Sequence, residues 1–304
     1  MAGEALIDLV VRPDGSVTAA LGGGPFNVAR TIARLGGEVG FLGSISNDRF
    51  GTMLADRLVA DGVSLGPRCA PRPHHPRRRR ARRPRLGHVP LLPHRHLGTG
   101  ARPGARRRAS CRHAARRHAR PGARADGHHA RGPLDDVADD VLVMTDPNCR
   151  SRVIRDRAAY LDRLARVYRR SHVVKLSTDD AEYLDDATEP IDLARRLVDG
   201  GVRVVLLTAG KEATWVVTPT GVDALPTPLV TVADTIGAGD SFCGGFLSWW
   251  RGNGFGVAEL ADHALVVEGA LAAQAVSSYT VTQVGANPPH RDDLDASWSS
   301  CSRS

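Results

Sequence analysis

The run Val232-Ala-Asp-Thr-Ile-Gly-Ala-Gly-Asp-Ser-Phe242 constrains this chain more than any other stretch. Two glycines within three residues let the backbone turn tightly and bring its N–H groups close to a bound oxygen. Apolar residues follow at helical spacing, at Phe242, Phe246, Trp249 and Trp250, so the turn opens a helix. A helix start leaves unpaired donors at the positive end of the dipole, which is an anion site. Asp240 stands inside that turn. A carboxylate is badly placed for merely gripping phosphate. It is well placed to take a proton from a hydroxyl that attacks phosphorus while the loop steadies the developing charge. On spacing alone, a Gly-rich turn with an Asp helix cap fits equally well.

The 304 residues suffice for one large α/β domain or two smaller ones. No uninterrupted apolar run reaches membrane-spanning length, and no basic region followed by an apolar core opens the chain, so neither a span nor a signal peptide is expected. Five scattered cysteines without CxxC spacing fit a reducing, cytoplasmic setting. The net charge of +8 is a local effect. Residues 67–133 hold 20 Arg, nine His, ten Pro, one acidic residue (Asp126) and no aromatic, whereas the remainder is net negative.

Outside that segment the pattern alternates between strand and helix, as in a doubly wound sheet. Gly3 to Val11 reads as the end of a strand. A helix follows Gly22-Gly-Gly-Pro, striped by Val28, Ile32 and Leu35 and ended by Gly36. Glu38–Leu42 reads as a strand, and the next helix turns Phe50, Met53, Leu54 and Leu58 inward. After residue 134 come a strand at Val141–Thr145, a helix with Ile154, Ala158, Leu161, Leu164 and Val167 inward, a strand at Val173–Ser177, a helix at Leu193–Val198, a strand at Val202–Leu207 and a hairpin strand at Trp215–Thr218. A long helix, Ala258–Val276, is rich in small residues, and the tail after Arg291 reads as loose.

The run from Asp234 to Asp240 resembles the Asp-Thr-x-Gly-Ala-Gly-Asp signature of the ribokinase-like, PfkB-type sugar kinases. The resemblance implies a mostly parallel α/β sheet with helices on both faces, a catalytic base at Asp240 and an anion hole at Gly237, Ala238 and Gly239. Further matches appear in sequential order. Asp8 stands where the family's Gly-Glu-x-x-x-Asp contacts sugar, and Gly23, Gly24 and Asn27 match its Gly-Gly-x-x-x-Asn element. Gly43, Asp48 and Gly51 match a structural turn. Asp146, Asn148 and Arg150 match Asp-x-Asn-x-Arg, which implies substrate or phosphate contact from Asn148 and Arg150. Lys175, Ser177 and Asp180 fall on Lys-x-Asn-x-x-Glu, with Ser replacing Asn and Asp replacing Glu. That places Lys175 near the nucleotide and Ser177 and Asp180 near magnesium, although a plain helix cap accounts for the latter two equally well. Thr208 and Gly210 match a nucleotide-lining turn, and Thr235 also falls at the nucleotide. Gly285-Ala-Asn-Pro-Pro289 matches the closing motif. ATP and Mg²⁺ are the implied cofactors, and a K⁺ ion held by Asp234 is implied beside them.

The resemblance covers residues 1–66 and 134–290. Residues 67–133 are unlike it. A segment this basic and this poor in apolar side chains is expected to be disordered. Three readings compete for it: an arm that binds nucleic acid, a species-specific insert, and an out-of-frame translation of GC-rich coding sequence. The missing aromatics weigh against the first. Misread G- and C-rich codons yield Arg, Pro, Ala and Gly, and the length equals what the family spends on its lid strands and the next βαβ unit, which favours the third. Without those strands the lid is absent or disordered, homodimer formation is not expected, and stability and turnover are expected to be low. The motifs most resemble bacterial fructokinases. The expected reaction moves the γ-phosphoryl group of ATP to a sugar's primary hydroxyl. Ribose, ketodeoxygluconate and nucleosides are the alternative acceptors.

Overall fold

The computed structural model describes residues 1–11, 14–66, 137–294 and Trp298. The readings of residues 67–133, the lid strands among them, lie outside these. Within the described residues the principal sheet has the order β5 (Met144–Thr145), β6 (Val173–Ser177), β7 (Val204–Thr208), β8 (Ala213–Thr218) and β9 (Gly221–Pro226). β5, β6 and β7 are parallel, and β8 and β9 run antiparallel at the far edge.

β7 is a continuous apolar run, and β6 is one apart from Lys175, because both their faces are covered. Alternate side chains serve opposite layers. Val173, Val204, Leu206 and Val216 pack with α6 (Ala238–Gly252) and α7 (His263–Val281). Val174, Leu176, Val205, Leu207 and Val217 pack with α5 (Pro190–Asp199), Leu184 of α4 (Thr178–Leu184) and Tyr168 of α3 (Arg157–Tyr168). The α/β reading with helices on both faces therefore holds. By length and composition α7 also passes as a membrane-crossing helix. Val266, Ala270, Ala273 and Val276 are instead fully buried in the core.

The N-terminal portion makes two smaller pairings. β3 (Gly40–Phe41) runs parallel to β4 (Ser64–Leu65), and α1 (Gly24–Arg34) and α2 (Arg49–Ala60) accompany them. β1 (Leu6–Val11) and β2 (Val17–Gly22) form an antiparallel hairpin. The opening thus differs from the expected strand end: Ala2 alone bridges in parallel to Leu42, and the residues from Leu6 belong to the hairpin. The hairpin went unseen because its outward residues, such as Leu9 and Val17, are apolar and erase the period-two contrast.

Other boundaries shift as well. The expected strands at Glu38–Leu42 and Val141–Thr145 each pair over two residues. Phe50 points outward, and only Leu164 of α3 is buried. The long C-terminal helix is a short 3-10 turn, Ala258–Ala261, followed by α7, whose start is capped by Asp262. Nor is the described part of the tail loose. Trp298 is buried, its indole N–H donates to the Ala272 carbonyl at 3.1 Å, and Arg291 lies over its ring.

α1 and α6 pack against each other at close range. A Cβ at Gly244 would come within 2.5 Å of the Thr31 Cβ, and one at Gly245 within 2.9 Å of the Val276 side chain. These glycines let three helices approach around the start of α6.

Candidate active site

The turn before α6 is shaped by what glycine omits. Gly237 is left-handed (φ 79°), and a Cβ there would lie 2.6 Å from the Ala286 Cβ. A Cβ at Gly239 would lie 2.9 Å from the Lys175 Nζ. The Ala238 amide donates to the Thr235 carbonyl, and the Ser241 amide donates to the Gly237 carbonyl. The amides of Gly239 and Asp240 have no acceptor among the described residues. Two open donors at the start of a fifteen-residue helix make an anion cradle.

Asp240, in the first turn of α6, faces α1. The Asn27 Nδ2 donates to its Oδ2 at 2.8 Å. A Cβ on Gly24 would stand 3.2 Å from both the Asp240 Oδ1 and the Asn148 Nδ2, so the bare Gly24 backbone keeps a slot open between those side chains. Burial raises the Asp240 pKa to about 6; Asn27's hydrogen bond opposes this, Asp146 adds to it, and Lys175 and Arg150 oppose it. A carboxylate with that affinity accepts a proton near neutral pH. Asn27 itself is buried, and its Oδ1 has no hydrogen-bond partner.

Beneath the cradle lies an ion pair. The Lys175 Nζ sits 3.1 Å from the Asp146 Oδ2. Burial works against the lysine charge, but Asp146 outweighs it and holds the ammonium above its ordinary range. The same Asp146 accepts from the Asn148 amide at 3.0 Å through Oδ1 and faces the Cys243 Sγ at 3.7 Å. Asn148 adopts φ 42°, which asparagine tolerates, and so turns toward Gly24. Arg150 is exposed nearby and makes no hydrogen bond with its side chain among the described residues.

The other expected residues fall as follows. Lys175 lies under the glycine turn, against Gly239. Ser177 and Asp180 meet as a capping box on α4: the Asp180 amide donates to the Ser177 Oγ, and the Asp180 Oδ2 accepts from the Ser177 amide and hydroxyl. The Asp180 Oδ1 accepts from the Cys149 amide at 2.6 Å. Both carboxylate oxygens are thus engaged within the chain, and the pair does not fit as a direct metal-ligand set. Among the described residues no group of three His, Cys, Asp or Glu side chains gathers for a metal. Asp234 ties loops together, accepting from the Ile236 amide at 3.0 Å and the Gly285 amide at 2.9 Å. Thr208 donates to the Leu176 carbonyl at the strand ends, Gly210 (φ 53°) forms the β7–β8 turn, and Thr235 is exposed before the cradle. Asp8 is exposed on β1, 2.9 Å from where a Gly22 Cβ would stand, and Gly23 (φ 112°) turns the chain into α1.

Two groups escaped the sequence reading. Asp146 matched the strand-end Asp-x-Asn-x-Arg element but carried no role of its own, and its pairing with Lys175 was not foreseen. The Arg30–Asp61 pair gave no local signal, since its members lie 31 residues apart.

A buried carboxylate beside two open helix-start amides, on an α/β sheet, is an arrangement that suits phosphoryl transfer. The sequence pattern of the pfkB family carbohydrate kinases matches residues 1–66 and 137–293, and the chain belongs to that family. It is 28% identical to a fructokinase of Rhizobium leguminosarum bv. trifolii over 81% of this chain and 77% of that protein. It is also 28% identical to an aminoimidazole riboside kinase of Salmonella typhimurium, over 98% of this chain and 94% of that one. Among solved structures, aminoimidazole riboside kinase from Salmonella enterica, complexed with aminoimidazole riboside and an ATP analog, superposes with TM-score 0.64 at 21% identity, covering 98% of each chain. Fructokinase from Vibrio cholerae O395, in fructose-, ADP- and calcium-bound form, gives TM-score 0.63 at 20% identity over 94% of this chain and 92% of that one.

Proposed function

We propose that this site transfers the γ-phosphoryl group of ATP to the primary hydroxyl of a sugar, with fructose as the first substrate to test. The observation that carries the reading is the Asn27–Asp240 pair beside an open slot. Asn27 spends its amide N–H on the base and keeps Oδ1 unpartnered, which suits a hydroxyl donor. Gly24 and Asn148 border the slot, and with Asp8, Gly23 and Arg150 they would orient the sugar.

Asp240 takes the proton of the attacking hydroxyl as the O–P bond forms. The Gly239 and Asp240 amides meet the charge on the equatorial phosphoryl oxygens, and the leaving ADP departs in line. Thr208, Gly210 and Thr235 would face the nucleotide. Magnesium would neutralise phosphate charge, and Ser177 and Asp180, engaged with each other and with Cys149, would hold it only through water. Asp234, at the loop beside the cradle, is the group that would hold a potassium ion. Use of ATP would accord with a cytoplasmic setting.

The sugar is tested by calorimetry with ADP and with fructose, followed by coupled turnover assays on fructose, ribose, ketodeoxygluconate and aminoimidazole riboside. The match across 98% of the chain to an aminoimidazole riboside kinase makes a riboside the second candidate. Binding of ADP and fructose, lost on Asp240→Asn for turnover but not for ADP affinity, is the expected result. Failure of the purified chain to bind any nucleotide would overturn the proposal.

A further inference from the structure

Behind the cradle, on the side away from the slot, lies a buried cluster that the chemistry above does not use. Arg30 of α1 donates through Nε to the Asp61 Oδ2 at 2.5 Å and through Nη1 to the Ala286 carbonyl at 2.9 Å. Asp61 is the C-cap of α2 and also receives the Arg34 Nε at 3.0 Å. The Arg34 Nη1 continues to the Asn287 Oδ1 at 2.8 Å and the Pro288 carbonyl at 2.6 Å. Arg30 and Arg34 are 3% and 8% exposed, so these contacts are desolvated. They grip one loop, residues 285–288. That loop carries the Ala286 methyl, which occupies the space a Gly237 side chain would need, and its Gly285 amide is fastened to Asp234.

We propose that Arg30 is a positioning residue for the anion cradle, acting through Ala286 on Gly237. The loop at 285–288 is the stop against which the left-handed Gly237 rests, and Arg30 fixes that stop to the C-terminal end of α2. A guanidinium is suited to the task because its fork reaches a carboxylate and a carbonyl at once, whereas an ammonium is a point charge. The same helix presents Asn27 to Asp240 one turn earlier, so α1 sets both the base and the cradle in a common frame. Its relevance to catalysis rests on the phosphotransfer reading, but the mechanical coupling does not.

The test is hydrogen exchange on the unliganded full chain. In Arg30→Met, peptides covering residues 234–240 and 284–288 should exchange about tenfold faster, with β7 and β8 unchanged. Ala286→Gly leaves the arginine–aspartate cluster intact and should loosen residues 234–240 alone. Arg30→Lys keeps a charge beside Asp61, loses the second arm and should resemble Ala286→Gly; these two variants decide the matter if Arg30→Met does not fold. ADP affinity should fall in all three in proportion to the fraction of molecules in which the cradle is formed. Unchanged exchange at 234–240, or an increase spread evenly through β7 and β8, overturns the proposal. Local loosening in a chain that binds no ADP would sustain it while removing the proposed function.

Discussion

The Asn27 Nδ2 donates to the Asp240 Oδ2 at 2.8 Å, joining the first helix to the sixth. This bond stabilises the ionised carboxylate, while burial and Asp146 favour the protonated one. The proposed base is therefore held between two demands: it would have to be ionised to act, and the fold resists that ionisation.

Removing the charge should separate stability from activity. The folded pKa of Asp240 is raised to about 6 from 3.8, so its contribution to stability is fully present below the unfolded value and is lost as pH rises through about 6. Asp240→Asn should accordingly stabilise the protein above pH 6 by about 2 kcal/mol, with no gain near pH 3.5. Turnover should fall about a thousandfold. Thermal melts across pH and a coupled assay check both halves; a variant less stable than the parent at pH 8 contradicts the account.

The acid limb of kcat/KM should report the same group, with a midpoint near pH 6. Asn27→Ala removes the donor that favours the carboxylate, so its limb should move to higher pH while KM for the sugar rises. A limb that stays in place would show that another group governs it.

Gly24→Ala probes the slot. The new methyl would sit 3.2 Å from the Asp240 and Asn148 side chains, without needing a left-handed backbone. Melting temperature should hold within a few degrees, while KM for the sugar rises about tenfold through misplacement of the acceptor hydroxyl. Equal KM values in both proteins would place the sugar elsewhere.

Lys175→Met would leave Asp146 as a poorly solvated charge. Breaking such a pair costs about 3 kcal/mol. With Lys175 gone, one of the charges that lower the Asp240 pKa is lost and Asp146 is no longer neutralised, so the acid limb should climb. Urea melts and a pH profile measure the two effects together. A profile unchanged from the parent would confine Lys175 to packing.

Much of this was legible in one dimension. The helix after Asp240 announced itself through Phe242, Phe246, Trp249 and Trp250, all of them buried. The paired faces of β6 and β7 followed from short apolar runs, β6 interrupted only by Lys175. What stayed hidden depended on contacts across the chain. The pairing of Lys175 with Asp146, and its place under Gly239, join residues from separate strands and a loop. Ser177 and Asp180 have spacing that serves a cation or a helix cap equally well, and only the Cys149 amide, which arrives from another loop, takes the remaining oxygen. The three-residue spacing of Trp215 and Thr218 implied one hairpin strand but not its partner β9, whose exposed middle carries little apolar pattern.

The bond from Asn27 to Asp240 spans 213 residues. During synthesis α1 leaves the ribosome long before the helix it must meet, and Thr31 waits for the bare backbone of Gly244. Contacts at such separation form late and slowly. The groups of the proposed site are consequently among the last to come into register, so a nascent chain stalled before α6 would hold Asn27 without its partner.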